Sequence, residues 1–219
     1  MAQSDRSPKG LLMATMEPPS NIEDEFQDWY DFEHFPEREG CEGFETAKRF
    51  VCIDGFPRYL ALYDLTNVDV LHGPAYSKIA IARYSPWTHR IMSKVWGQYR
   101  AEGVQVYPGP ALIGQKGPSS RVVVWRFKAI ERNQEAGLIA GFSKLYDGNS
   151  STVQVRLFRV SSPVPGDYVN ADYVGIVELQ YPVADVDMEL LGKSRKNIDS
   201  VNVYVSYSRQ ALGAFPSKK

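Results

Sequence analysis

Apolar runs and amphipathic stretches alternate along the chain in an order that occurs twice. GLLMATME (10–17) is a short apolar run and predicts a strand. IEDEFQDWYDFEH (22–34) predicts a helix, with Asn21 as N-cap and acids filling the first turn. FETAKRFVCI (44–53) and RYLALYDL (58–65) predict strands, joined through the turn-forming DGFP. Residues 68–95 are helical in character but broken at Gly73–Pro74 and Ser85–Pro86. WGQYRAEGVQVY (96–107) predicts a further strand, and the Pro/Gly/Ser-rich 108–120 reads as a linker. RVVVWRFKAI (121–130) then predicts a strand, 133–148 a helix, 152–160 and 172–181 strands, 183–196 a helix and 200–209 a last strand. Each half reads β-α-β-β-α-β, the order of a ferredoxin-like unit. The expected organisation is α+β: one unit over 8–107, the linker 108–120, and a second, degenerate unit over 121–212.

The helix over 22–34 carries the first candidate chemistry. At 100° per residue, Ile22, Phe26, Trp29 and Glu33 share a face with Tyr30 beside them, while Asp24, Asp28 and Asp31 fall opposite. His34 lies at the edge of the apolar stripe, and Pro36 is expected to end the helix near it. Two readings of His34 stand side by side: a proton-transfer group at a cavity mouth, or an exposed histidine steadied by the helix dipole. Glu33 is either a site acid or a carboxylate paired with Arg38 or Arg49. Strand alternation puts Tyr59, Ala61 and Tyr63 on one face and Leu60 and Leu62 on the other. SPWTHRI (85–91) opens a helix at Pro86 and offers Trp87 as a pocket wall. Its Arg90 would meet a substrate carboxylate or an acid of the first helix, and His89 reads as a surface residue, as does His72 in its loop.

EFQDWYDFEHFPE, the GF at 43–44, RYLALYDL and SPWTHRI together resemble the dimeric α+β-barrel superfamily. The likeness is strongest to its EthD-like members, whose first helix ends in a Tyr-rich segment followed by His-x-Pro. It spans roughly residues 10–95. The second half resembles the superfamily in element order only, and its counterpart segment GFSKLYDGNSS has neither histidine nor proline. The resemblance implies two tandem ferredoxin-like units forming an α+β barrel, closed within one chain or across a homodimer. It implies His34 as a general acid or base working without a cofactor, with Glu33 beside it. It also implies Tyr59 and Tyr63 in the barrel lumen as donors to a developing oxyanion, and Trp29, Tyr30, Trp87 and Arg90 as substrate contacts. Some barrels of this kind bind haem through one histidine, which keeps a haem- or oxygen-dependent monooxygenase open as an alternative.

Composition narrows the partners. The 219 residues carry a net charge of −1, so nothing points to nucleic acid or an anionic membrane surface. No segment has the apolar length of a signal peptide core or a membrane span, and the two cysteines, Cys41 and Cys52, fit free thiols in a reducing compartment. A cytoplasmic setting and a possible homodimer are expected. Glycine-rich phosphate loops, HExxH, GxSxG and clustered metal ligands do not occur in the sequence. The leading reading is a cofactor-independent lyase or isomerase that acts on a small hydrophobic, aromatic or polyketide-like molecule. A non-catalytic ligand-binding barrel is a further alternative.

Overall fold

The computed structural model describes residues 8–109, 119–146, 148–161, 169–183, 186–207 and 209. Its strands are β1 (Gly10–Glu17), β2 (Phe44–Asp54), β3 (Tyr59–Leu65), β4 (Trp96–Tyr107), β5 (Arg121–Glu131), β6 (Thr152–Val160), β7 (Asn170–Leu179) and β8 (Ile198–Ser206). They close one antiparallel barrel in the order β1-β3-β2-β8-β5-β7-β6-β4. Closure is achieved within a single chain, and every strand has two neighbours. These strands therefore leave no free sheet edge for a homodimer to use, because closure removes such edges. Each half contributes its four strands in the same relative order, β4-β1-β3-β2 and β8-β5-β7-β6. The linker expected over 108–120 falls mostly outside the described residues.

Period-2 alternation sorts the strand side chains into three cores. Leu11, Met13, Leu60, Leu62, Val124, Phe158 and Ile176 fill the barrel lumen. Leu12, Met16, Tyr59, Ala61 and Tyr63 face outward under the helices of the first half. Trp125, Phe127, Tyr173 and Val177 do the same in the second half, beneath Leu138 and Phe142 of α5 (Glu135–Lys144).

The first helical region departs from the sequence expectation. A 3-10 turn at Ser20–Ile22 leads into α1 (Glu23–Trp29), and no side-chain cap is made, so Asn21 is not the N-cap. The helix does not stop at His34. A π turn at Tyr30–His34 carries it into α2 (Phe35–Glu39), with Pro36 in the first turn of α2. Proline lacks an N–H and in α geometry its ring meets the carbonyl four residues back. The wider π turn accommodates it, and Phe35 N–H donates instead to the Tyr30 carbonyl. The helical stretch after β3 is broken as expected, into 3-10 turns at Val68–His72 and Ile81–Arg83 plus α3 (Pro74–Ser77) and α4 (Pro86–Met92). The helix expected over 183–196 is instead a 3-10 stretch, Met188–Asn197, interrupted where Gly192 takes φ +51°.

Candidate active site

Helix α1, the π turn and α2 lie across the outer face of β1 and β3, with α4 alongside. Phe26 and Trp29 are fully buried and Tyr30 nearly so, which anchors the helix to the sheet. Because the chain continues into α2, His34 is buried to 6 % exposure in mid-helix rather than displayed at an end. Its ring lies 4.3 Å from Trp29 and 5.2 Å, edge-on, from Tyr30. Burial, with Arg38 and Arg49 adding their positive charge, holds the imidazole well below its ordinary pKa. The imidazole is therefore uncharged at neutral pH, and its Nδ1 is buried without a hydrogen-bond partner.

A cavity of 220 Å³ opens between this helical layer and the sheet. His34 and Tyr63 share its wall with Arg38, Tyr76, Tyr84 and Arg100. Tyr63 Oη is a second buried polar atom with no partner. Burial raises its pKa, and the nearby Tyr30 phenol, outside hydrogen-bonding geometry, raises it further. Orphaned buried polar groups are costly, and natural proteins leave few of them. Two residues of one cavity wall each hold one, which marks His34 and Tyr63 as candidate contacts for a ligand's polar groups.

The remaining predicted site residues are placed elsewhere. Tyr59 and Tyr63 do not line the lumen: β3 turns both outward and gives the lumen Leu60 and Leu62. Tyr59 donates its hydroxyl to Glu23 at the start of α1, and Arg58 bonds the same carboxylate at 2.8 Å. Glu33 pairs with neither Arg38 nor Arg49. It accepts from Ser85 Oγ at 2.5 Å and Thr88 Oγ1 at 2.8 Å, and Trp29 Nε1 donates to Thr88 Oγ1 at 2.9 Å. Ser85 caps α4 through Thr88 N–H, so Glu33 fastens α4 to the helix that bears His34. Trp29 and Tyr30 support the imidazole from behind and are not among the cavity's lining residues. Trp87 packs partly buried on the first-half core. Arg90 is exposed and pairs with Glu25 at 3.0 Å, the helix-acid option of the sequence reading. His89 and His72 are exposed, as expected.

Arg38, Tyr76, Tyr84 and Arg100 were not foreseen as site residues. Arg38 could have been found, since it follows His34 at i+4 and so shares its helix face. Tyr76, Tyr84 and Arg100 reach the cavity from three separate elements, and no local spacing links them. Cys41 and Cys52 are free thiols, Cys41 buried and Cys52 half-buried. Among the described residues no cluster of three or more potential metal ligands occurs, and no helix is long and apolar enough to cross a membrane.

Haem does not fit the residues present. An iron-bound imidazole ordinarily hands its other N–H to an acceptor, and His34 Nδ1 has none. Two guanidiniums bear on that ring, and the cavity falls below the roughly 300 Å³ at which drug-sized pockets begin. The second half contains no histidine, and the space between its helix and sheet is filled by Phe142, which rests on Gly175 where a Cβ would approach to 2.3 Å.

No protein family matches the chain, and no curated protein matches it in sequence. Solved structures do match in fold. An anthrone oxidase-like protein superposes with a TM-score of 0.65 at 10 % identity, covering 95 % of this chain and 94 % of the other. A mutant chlorite dismutase from Candidatus Nitrospira defluvii gives 0.57 at 9 % identity, with 94 % of each chain covered. A protein assigned as a monooxygenase from Lactobacillus acidophilus gives 0.50 at 7 % identity, covering 91 % of this chain and 93 % of the other. The chain thus shares the barrel fold of these proteins, with the barrel closed by its own eight strands.

Proposed function

We propose that the protein is a cofactor-independent oxygenase acting on a small hydrophobic aromatic molecule that carries an acidic C–H. The carrying observation is that His34 and Tyr63, each with a buried polar atom that lacks a partner, line one cavity. An uncharged imidazole can accept a proton at once, whereas an imidazolium would first have to lose one. His34 takes the proton from carbon, and the Tyr63 hydroxyl donates to the oxygen on which charge develops. The electron-rich anion then reduces dioxygen. For a CH₂ flanked by aromatic rings, CH₂ plus O₂ gives C=O plus H₂O, which balances atoms and electrons. The likeness to an anthrone oxidase-like protein and to a monooxygenase supports this order of events. Glu33, Trp29 and Tyr30 are positioning residues in this reading, and Tyr59 is a structural latch.

A second reading shares the first step and omits oxygen: a lyase or isomerase in which His34 returns the proton to another atom. The same two orphaned groups suffice for it. An oxygen electrode separates the two. With a hydroxylated anthrone as probe, the oxygenase consumes one O₂ per molecule oxidised. The isomerase-type activity appears instead as exchange of the acidic C–H with deuterium under argon. In either case His34→Gln should lower the rate by about a hundredfold or more. Full rate in a folded His34→Gln protein would remove both readings.

Two structural points belong to the same reading. The repeated strand order supports treating the halves as tandem ferredoxin-like units, the second without a site. A homodimer, if formed, would use helix faces such as the one bearing Phe32, which is 72 % exposed, and light scattering checks it.

A further inference from the structure

The cavity wall is one-sided in charge. The guanidiniums of Arg38 and Arg100 border it, and no carboxylate does. Arg38 is buried to 2 % exposure, while the Glu37 carboxylate that faces it is 37 % exposed. Among the described residues, Arg38 donates from Nη1 to Glu37 at 2.7 Å and from Nη2 to the Ile79 carbonyl at 3.1 Å, two bonds for a fork of five N–H donors. A guanidinium taken out of water whose one carboxylate partner is itself partly exposed is expensive unless another group also faces it. Much of the remaining wall is flat or soft, with Tyr63, Tyr76, Tyr84, Met16 and Met92, and Thr15 and Gln98 add uncharged polar groups. Such surfaces favour an aromatic body, and the volume limits it to a compact ring system.

We propose that the ligand of this cavity is a compact aromatic bearing an ionised oxygen, carboxylate or phenolate, seated against Arg38. This rests on the cavity being the reaction site and adds the ionic state of the molecule that enters it. Arg38 offers a planar fork suited to such oxygens. Arg100, paired with Glu102 and donating to Tyr76 Oη at 3.2 Å, lies at the more exposed rim and attracts the anion inward. A bound anion also offsets the positive charge that Arg38 exerts on His34, so the imidazole gains basicity when substrate is in place. An aromatic that enters already ionised is richer in electrons, which suits a reaction with dioxygen.

The test is calorimetric binding of 2-naphthoate against its neutral isostere 2-naphthamide, at a pH where the acid is fully ionised. Wild-type protein should favour the naphthoate by about tenfold or more, the worth of one charge-assisted hydrogen bond. Arg38→Met should erase most of that preference, and 4-nitrophenolate against 4-nitroanisole shows whether phenolate is taken as well as carboxylate. Equal binding of naphthoate and naphthamide by the wild-type protein overturns the proposal, whether or not Arg38→Met folds. A folded Arg38→Met protein with the full preference overturns the assignment to Arg38. His34→Gln should keep the preference while losing turnover. A retained preference with neither oxygen uptake nor proton exchange sinks the proposed reaction and leaves the ligand class standing.

Discussion

His34 is surrounded by rings and cations. Trp29 and Tyr30 pack on it, and Arg38 and Arg49 bear on its charge even though Glu37 and Asp31 pair with them. Its folded pKa lies well below the unfolded value of 6.5. As pH falls below 6.5 the unfolded chain binds a proton at His34 and the folded chain does not. Stability therefore declines with acid through that window, by up to about 1.4 kcal/mol per pH unit, and is flat in this respect above it. Urea denaturation at several pH values should show the slope in wild-type protein and its loss in His34→Gln. An unchanged slope in the variant would place the titration elsewhere. The two tyrosines of β3 offer a contrasting pair. Tyr59→Phe removes a hydroxyl bonded to Glu23 and should cost about 1–2 kcal/mol with turnover unchanged. Tyr63→Phe removes a hydroxyl with no protein partner, so stability should hold or rise while turnover falls. Denaturant midpoints beside rates decide it, and the reverse pattern would exchange the two roles.

At the scale of elements, the site depends on a helix that bends without ending. The π turn lets the chain pass Pro36, which buries His34 and brings Arg38 to the cavity wall. The link to α4 runs from Glu33 through Thr88 to Trp29, whose ring packs at a tilt against His34. Thr88→Val keeps the shape and removes the oxygen that joins them. Trp29 N–H is then buried without an acceptor, at a cost of about 1–3 kcal/mol. If Trp29 positions the imidazole, kcat should fall with KM little changed, and Thr88→Ser should restore it. A loss of stability alone, with kcat intact, would confine the chain to a structural role. The strands were legible from their apolar patterning to within three residues, because each shows one face to the lumen and the other to a helix. The second-half helix over 183–196 was not, since a pattern of apolar spacing does not distinguish a 3-10 stretch from an α-helix. Nor was the π turn, since proline rules describe α geometry. The missed π turn carried His34 to a helix end, whereas the lumen placement of Tyr63 came from the family resemblance, which took the wrong face of β3.

Across the whole molecule the two halves carry matching latches. In the first, Tyr59 on β3 donates to Glu23, the first residue of α1; in the second, Tyr173 on β7 donates to Glu135, the first residue of α5, at 2.7 Å. Arg58 and Arg159 bond the same two carboxylates. The shared latch survives in a half whose interior is filled by Trp125, Phe127 and Phe142, so it serves helix docking and not chemistry. What joins the halves beyond the sheet is a buried ion cluster spanning the lumen. Arg156 on β6 pairs with Asp64 on β3 at 2.5 Å and with Glu178 on β7 at 3.3 Å, and Asp64 also accepts from Thr46 Oγ1 at 2.6 Å. β3 and β6 are not neighbours in the barrel, so the pair crosses its interior. All three ionic side chains are at most 10 % exposed. Among the described residues Arg156 is the one cation paired with both acids, so Arg156→Met leaves two buried carboxylates without it. The loss should be about 3–5 kcal/mol, the scale for stranding a buried charge. Replacing all three ionic residues by apolar ones of similar size should recover most of it, because the stranded charge, and not the missing bond, carries the penalty. Urea unfolding of the single and triple variants decides the matter: a single variant within about 1 kcal/mol of wild type would mean that water reaches the lumen and screens the acids.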